Sequence, residues 1–208
     1  MNRLFDWIDQ HNTNIPHQTA LRFEGRDISY GSFAAEVSRY AQTLKQTYGV
    51  EPGDRVAFLG LNSPDFLYLL FACARLGAVF LPLNWRLAPP ELHYILSDAA
   101  VKILICDADQ FAAGKSIKPG LLAELPSCRF VTSEARATDG PGDWQYLAED
   151  VACASGADCF DNLTADMPVL LMYTSGTTGH PKGVVINHET ILAQISMAMH
   201  LHDMTAAD

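Results

Sequence analysis

The stretch VLLMYTSGTTGHPKGVVIN, residues 169–187, places a polar segment between two apolar runs. The runs, at 169–174 and 183–187, are short and rich in large or β-branched side chains. Short apolar runs of this kind are typical of strands buried in a sheet. The stretch therefore predicts a unit of strand, loop and strand, and the composition of the loop decides what that unit can bind.

The loop has the composition of a site for an anion with several oxygens. Gly176 and Gly179 allow positive φ and close backbone approach, so that successive N–H groups can converge on the anion. Lys182 adds a positive charge on a long stem, and it is the only lysine or arginine among residues 137–208. Hydroxyl donors come from three neighbouring side chains, Ser175, Thr177 and Thr178. The loop therefore favours an oligophosphate ligand over the alternative of a flexible surface loop.

The spacing of this loop approaches the P-loop pattern G-x-x-x-x-G-K-[ST], but the details argue against that motif. Pro181 stands where the second glycine belongs, and Gly183 stands where a magnesium-binding hydroxyl belongs. A P-loop leads into a helix, whereas the residues after Lys182 continue as a predicted strand. The sequence thus predicts phosphate binding in a different architecture.

The rest of the chain alternates predicted helices and strands. Apolar runs typical of strands lie at 55–60, 79–82, 102–106 and 129–132. Helical patterns lie between or before them, at 29–48, 64–76 and 89–97. Such alternation predicts an α/β fold with a mainly parallel sheet covered by helices on both faces. In these sheets ligands bind beyond the carboxyl ends of the strands, which is where the loop after Thr174 lies.

Charge and composition narrow the class of protein. The 208 residues are 49% hydrophobic and 18% charged, as expected of a folded globular protein. The net charge of −10 argues against a nucleic-acid partner. Much of this charge lies in residues 133–168, where eight carboxylates accompany one arginine. That segment is predicted to be a solvated, loosely structured connection with one or two helical turns around Asp143–Glu149.

Two sequence patterns concern whether the chain crosses a membrane and in which cellular compartment it lies. Residues 66–83 carry a single charge, at Arg75, and approach the length of a membrane span. Gly77 is a natural helix end and the run after it is strand-like, so a buried helix followed by a buried strand is the preferred interpretation. Five cysteines without a C-x-x-C pair, and an N-terminus without a long apolar stretch, predict a cytoplasmic protein without a transmembrane segment.

The segment YTSGTTGHPKGV, residues 173–184, closely resembles the phosphate-binding motif of the AMP-forming acyl-adenylating enzymes. Two weaker segments resemble motifs of the same enzymes in the expected order, ISYGSF at 28–33 and ARLGAVFLPLN at 74–84. GVEPGDRVAF at 49–58 and PLNWRL at 82–87 are similar to acyl-CoA synthetases in particular. The resemblance covers essentially the whole chain.

This resemblance implies an enzyme that activates a carboxylic acid with ATP as an acyl-adenylate and then forms acyl-CoA, with a fatty acid as the expected substrate. It implies that the β- and γ-phosphates are bound by Thr174, Ser175, Gly176, Thr177, Thr178 and Gly179. Lys182 would be the catalytic residue, offsetting charge on the departing pyrophosphate. ATP, Mg²⁺ and coenzyme A are the implied cofactors and co-substrates, and no metal ligand is assigned to the chain.

The resemblance also implies that residues 1–208 form the N-terminal part of a larger adenylate-forming domain. Residues 169–208 would hold the phosphate-binding unit and a following helix, while a C-terminal domain with a second lysine is absent. We therefore expect the chain alone to bind ATP weakly and to lack acid-dependent ATP–pyrophosphate exchange. The expected partners are small molecules, and a homodimer is left open.

Two other interpretations stay open at this point. The chain could be a stand-alone nucleotide-binding or interaction module, or it could belong to another adenylating enzyme, such as the adenylation domain of a peptide synthetase. The PLNWRL segment favours an acyl-CoA ligase. A metal site at His200, His202 and Asp203 is disfavoured, because two histidines are too few and alternate residues of a helix face different directions.

Overall fold

The computed structural model describes residues 3–133, 144–155, 163–174 and 180–201. Its helices are α1 (Leu4–Asn14), α2 (Tyr30–Gln42, continued by a π-helical turn at Thr43–Thr47), α3 (Pro64–Leu76), α4 (Pro89–Asp98), α5 (Phe111–Glu124), α6 (Leu147–Ala152) and α7 (His188–Leu201). Its strands are β1 (Thr19–Phe23), β2 (Arg26–Ser29), β3 (Arg55–Leu59), β4 (Val79–Leu83), β5 (Ile103–Cys106), β6 (Arg129–Thr132), β7 (Gln145–Tyr146), β8 (Pro168–Thr174) and β9 (Lys182–Asn187).

Seven of these strands form one sheet in the order β7–β6–β5–β3–β4–β8–β9. Neighbouring strands pair in parallel from β7 through β8, whereas β9 runs antiparallel to β8. Strands β1 and β2 form a separate antiparallel hairpin. The prediction of a mainly parallel sheet is confirmed, and the predicted strand–loop–strand unit is its antiparallel exception.

Each face of the sheet carries its own apolar core. On one face, α1, α2, α3, α6 and α7 pack over strand side chains such as Phe58 and Phe80. On the other face, α4 and α5 pack over alternate residues of the same strands, including Leu59 and Leu81. Because successive side chains of a strand point to opposite faces, continuous apolar runs can supply both cores. Helices cover both faces, as the sequence predicts.

The apolar segment 66–83 forms most of helix α3 and strand β4, which agrees with the preferred interpretation. Ser63 caps α3 by accepting a hydrogen bond from the Phe66 N–H at 3.4 Å, and Pro64 takes the first helical position. Gly77 ends the helix in the left-handed conformation, with φ of 67°. In the described part of the chain, no helix has the length and apolarity that a membrane crossing requires.

Within the segment 133–168, for which the sequence predicts a loosely structured connection, residues 144–155 contain two regular elements. This part includes β7, which joins the edge of the sheet, and α6, which packs on the core. Leu147 and Val151 are only 1% and 6% exposed, and they lie four residues apart, on one face of the short helix. Their burial outweighs the negative charge of the surrounding sequence.

Helix α7 follows β9 directly. Asn187 caps it by accepting a hydrogen bond from the Thr190 N–H at 2.8 Å. Ile191 and Ile195 pack against the core, whereas Met199 is 46% exposed although its spacing places it on the same face. The apolar face of α7 therefore contacts the core over its first turns and projects beyond it afterwards.

Candidate functional site

Strands β8 and β9 bring together the two described ends of the predicted phosphate loop. Thr174 pairs with Lys182 at the last position of the antiparallel register before the strands separate. Residues directly opposite each other in such a ladder lie on the same face, with Cβ atoms about 4.5–5.5 Å apart. Both residues are exposed to solvent. The side chains of a threonine and a lysine therefore leave the ladder on the same face at the base of the loop.

Lys182 is available to an anionic ligand. Within the described part of the chain, no carboxylate lies within 4.0 Å of its Nζ atom. The other positions predicted to bind phosphate lie outside the described residues: Ser175, Gly176, Thr177, Thr178 and Gly179. Their contacts with phosphate stay predictions, and the geometry of the site rests on Thr174 and Lys182.

A cleft of about 640 Å³ opens at the carboxyl edge of the parallel strands. Its walls come from the segments that follow β3 and β4 and from the end of β8. Lining residues include Leu61, Phe66, Trp85, Arg86 and Met172. Open α/β sheets bind ligands at this edge. The cleft therefore lies where the order of strands and loops in the sequence places the site.

One wall of the cleft is held by an acid from a neighbouring strand end. Asp107, which follows β5, accepts hydrogen bonds from the Leu61 N–H at 2.7 Å and the Gln110 N–H at 2.8 Å. A Cβ atom added at Gly60 would lie 2.6 Å from the Asp107 carboxylate. Gly60 and Asp107 thus shape the wall together. The sequence did not identify either residue, because their contact joins positions far apart in the chain.

Trp85 and Arg86 lie at the cleft after β4. Asn84 accepts a hydrogen bond from the Arg86 N–H at 3.1 Å, which turns the chain at this point. The Arg86 guanidinium lies 4.3 Å from the centre of the Trp85 ring, and the tryptophan is 39% exposed. An aromatic ring beside a cation can contact an apolar group and an anion together. In the sequence, these residues stood out only through the PLNWRL resemblance.

Two residues that flank the loop contact helix α4. The Tyr173 hydroxyl donates a hydrogen bond to the Asp98 carboxylate. The His180 ring stacks on the Tyr94 ring, with 4.9 Å between centroids. Burial, together with the hydrogen bond to Asp98 and its charge, raises the pKa of Tyr173 above its ordinary value. Tyr173 is therefore a neutral hydrogen-bond donor at physiological pH.

Known proteins resemble this chain in sequence. The sequence model of the AMP-binding enzyme family matches residues 8–208. An indoleacetate–CoA ligase of Aromatoleum aromaticum is 37% identical over 211 residues, which cover 99% of this chain and 39% of the relative. The long-chain-fatty-acid–CoA ligase FadD13 of Mycobacterium tuberculosis is 37% identical over 192 residues, which cover 88% of this chain and 35% of the relative.

A solved structure is similar as well. The crystal structure of ATP-bound MatB from Rhodopseudomonas palustris matches with a TM-score of 0.75 at 32% identity, over 96% of this chain and 37% of that chain. The chain therefore spans less than half the length of each of these relatives. Since the family match extends over nearly all of its residues, the chain belongs to the family of AMP-binding enzymes.

Proposed function

We propose that the chain binds ATP in an AMP-forming ligase that joins a carboxylic acid to coenzyme A. Thr174, residues 175–179 and Lys182 bind the β- and γ-phosphates. Two relatives that are 37% identical carry the names of CoA ligases, which supports the reaction class. The similarity to ATP-bound MatB supports ATP as the nucleotide.

One observation carries the proposal. Thr174 and Lys182 lie opposite each other at the base of the loop, directly after Met172 and Tyr173, which line the cleft. A triphosphate needs donors for several oxygens and a cation to balance its charge. The hairpin provides both beside a space that can receive the rest of the substrate.

In the proposed reaction, a carboxylate oxygen of the acid attacks the α-phosphorus of ATP, and the bond from that phosphorus to the pyrophosphate oxygen breaks. Both reactants are anions, so positioning and charge neutralisation supply most of the catalysis. Lys182 offsets the negative charge that grows on the departing pyrophosphate, which is its proposed catalytic role. The thiol of coenzyme A then loses its proton and attacks the acyl carbon, and AMP leaves.

Magnesium is proposed to arrive with the triphosphate. Among the described residues, no group of three or more His, Cys, Asp or Glu side chains could hold a metal ion. Mg²⁺ usually keeps several waters and binds through substrate phosphates with one or two carboxylates. The contribution of Thr174 and Lys182 is then to hold the phosphates that carry the ion.

The proposed acid has an apolar body, and a fatty acid is the first candidate. The cleft is lined by apolar side chains that include Leu61, Phe66 and Met172, which favour an apolar substrate. One relative is named for long-chain fatty acids and another for indoleacetate, so an aryl acid is the alternative to test. A cytoplasmic location and a homodimer stay predictions from the sequence.

Binding of ATP to this chain tests the proposal through Lys182→Ala. Loss of a charged hydrogen-bond donor costs about 1.5–3 kcal/mol, so the Kd for ATP is expected to rise roughly 10-fold to 100-fold. Isothermal titration calorimetry measures this Kd. Lys102→Ala is the matched control, because Lys102 precedes the amino end of β5 and its Nζ atom lies 3.5 Å from Asp54. A wild-type chain that binds no ATP, or a Kd unchanged by Lys182→Ala, contradicts the proposal.

A further inference from the structure

We propose that helix α4 positions the phosphate-binding hairpin β8–β9, and that Asp98 and Tyr94 are the positioning residues. Each holds one residue that flanks the loop: Asp98 holds Tyr173, and Tyr94 holds His180. The contacts themselves are features of the fold, while their effect on ATP rests on the proposed function.

The first contact fixes the end of β8. Tyr173 reaches Asp98 across 75 positions of sequence, and its partner on β9 is Gly183. A Cβ atom at Gly183 would lie 3.0 Å from Leu171 Cδ1 and 3.2 Å from Tyr173 Cζ. Such distances are closer than ordinary van der Waals contact, so a side chain at position 183 would push the ring aside. Glycine at this position therefore lets the Tyr173 ring lie across β9 and reach the helix.

The second contact fixes the start of β9. The rings of His180 and Tyr94 are nearly parallel, at 26°, with 4.9 Å between centroids. Stacked aromatic pairs of this separation are worth about 0.5–1.5 kcal/mol. Tyr94 lies four residues before Asp98, so the two side chains lie on the same face of α4. One helix face thus contacts both flanks of the loop.

Helix α4 is itself anchored to the sheet. Its Leu92, Ile95 and Leu96 side chains are at most 2% exposed. The Arg55 guanidinium, from the start of β3, donates hydrogen bonds of 2.6 Å to the carbonyl oxygens of Ala99 and Ala100. These carbonyls belong to the two residues that follow Asp98. The backbone at Asp98 is therefore held by the buried residues of α4 before it and by Arg55 after it. The two contacts therefore join the hairpin to a rigid element of the core.

The consequence concerns the two residues that carry the site. Thr174 follows Tyr173 directly, and Lys182 is separated from His180 only by Pro181, whose φ is fixed by its ring. Holding the flanks therefore limits the movement of both phosphate-binding side chains. A preorganised pair loses less entropy when the triphosphate binds, so affinity increases without a new contact to the ligand.

Two pairs of variants test this inference. Asp98→Ala removes the acceptor for Tyr173, while Asp98→Asn keeps an oxygen that can accept. His180→Ala removes the ring, while His180→Phe keeps a ring that can stack. We expect each alanine variant to raise the Kd for ATP about threefold to tenfold, and each conservative variant to stay near the wild type.

Amide hydrogen exchange without nucleotide gives a readout that does not depend on ATP. In the alanine variants, exchange is expected to accelerate across Met172–Thr174 and Lys182–Val184, while exchange in β3 and β4 stays unchanged. Conservative variants that behave like the alanine variants would refute the inference. So would acceleration throughout β3 and β4, since it would show a general loss of stability.

The experiment separates the two proposals. If Lys182→Ala weakens ATP binding but Asp98→Ala and His180→Ala change neither affinity nor exchange, the positioning role fails and the proposed function stands. If Lys182→Ala leaves ATP binding unchanged, the proposed function fails. In that case, amide exchange that accelerates only in the hairpin of the alanine variants would still support the role of α4 in positioning the hairpin.

Discussion

Strands β4 and β9 belong to the same sheet but differ in what covers them. In β4, Phe80 and Leu81 are both 0% exposed, although they point to opposite faces. In β9, Val184 and Val185 are 47% and 61% exposed. Both strands are rich in apolar residues, so composition does not explain the difference. Strand β4 lies between β3 and β8, whereas β9 ends the described order of strands.

This difference separates the part of the molecule that stabilises the fold from the part that carries the candidate site. The central strands place apolar side chains between two layers of helices. The hairpin places Thr174 and Lys182 where solvent and a charged ligand can reach them. Ligand-binding elements are commonly drawn from the less stable parts of a structure, because they must remain accessible. Substitutions in the two regions should therefore affect different measurements.

The largest expected effect is a loss of stability from the central strand. Phe80→Ala removes a fully buried ring that meets the Phe66 ring edge-on, with centroids 5.1 Å apart. Such truncations cost about 3–5 kcal/mol, because they lose burial and leave a cavity. Urea unfolding measures the change. Met197→Ala on α7 is the control: this side chain is 62% exposed, and its truncation should cost less than about 0.5 kcal/mol. Equal losses of stability in Phe80→Ala and Met197→Ala would contradict the difference in burial between β4 and the exposed surface.

A second pair of substitutions tests whether the boundary between the buried core and the exposed region lies between the two strands of the hairpin. Val169→Thr on β8 and Val185→Thr on β9 make the same change of a methyl group to a hydroxyl. Val169 is 0% exposed and Val185 is 61% exposed. Burying a hydroxyl without a partner costs about 1–3 kcal/mol, so Val169→Thr should destabilise the chain while Val185→Thr changes little. If both variants unfold at the same urea concentration as the wild type, β8 is not part of the core.

The central part of the sheet around β4 was easier to predict from sequence than the hairpin, because its element ends are set by neighbouring residues. Ser63 and Gly77 mark the two ends of α3 by capping and by a left-handed conformation, and both depend only on neighbouring residues. Continuous apolar runs likewise predicted the strands buried on both faces. The sequence predicted one or two helical turns around Asp143–Glu149, close to α6, but it did not predict β7, because a strand of two residues leaves no pattern within an acidic segment.

The candidate site was predicted in part. The glycines, hydroxyls and Lys182 of the loop are visible as a composition, and so is the strand on each side. Sequence did not show that Tyr173 and His180 contact α4, because those contacts form only when distant segments fold together. It also gave no sign that Asp107 holds the cleft wall through Leu61. Tertiary contacts of this kind have no local pattern.

His188 is buried although it lies beside the exposed hairpin. It follows β9 directly, yet it is 0% exposed. Its Nδ1 atom accepts a hydrogen bond from the Leu4 N–H at 3.1 Å, so the neutral ring carries its proton on Nε2. The ring also meets the Phe5 ring edge-on, with 6.4 Å between centroids. His188 therefore links the exposed hairpin to the first helix of the chain.

The smallest expected effect is a pH dependence of stability from this residue. Burial and the positive charge of Arg3 lower the pKa of His188 below its ordinary value of 6.5, while Asp6 opposes them. The unfolded chain then takes up the proton at a higher pH than the folded chain. The stability that depends on neutral His188 is complete above pH 6.5, and it falls as the pH decreases towards the folded pKa.

His188→Asn sharpens this prediction, since an amide oxygen can still accept the hydrogen bond from Leu4 but does not titrate. We expect the variant to lose less stability than the wild type between about pH 7 and pH 5.5, measured by urea unfolding at both values. His17→Asn is the control, because His17 is exposed and its replacement should leave the pH dependence of the wild type in place. A wild-type slope in His188→Asn would mean that protonation of His188 does not weaken its contact with α1, and another group would then be the source of the pH dependence.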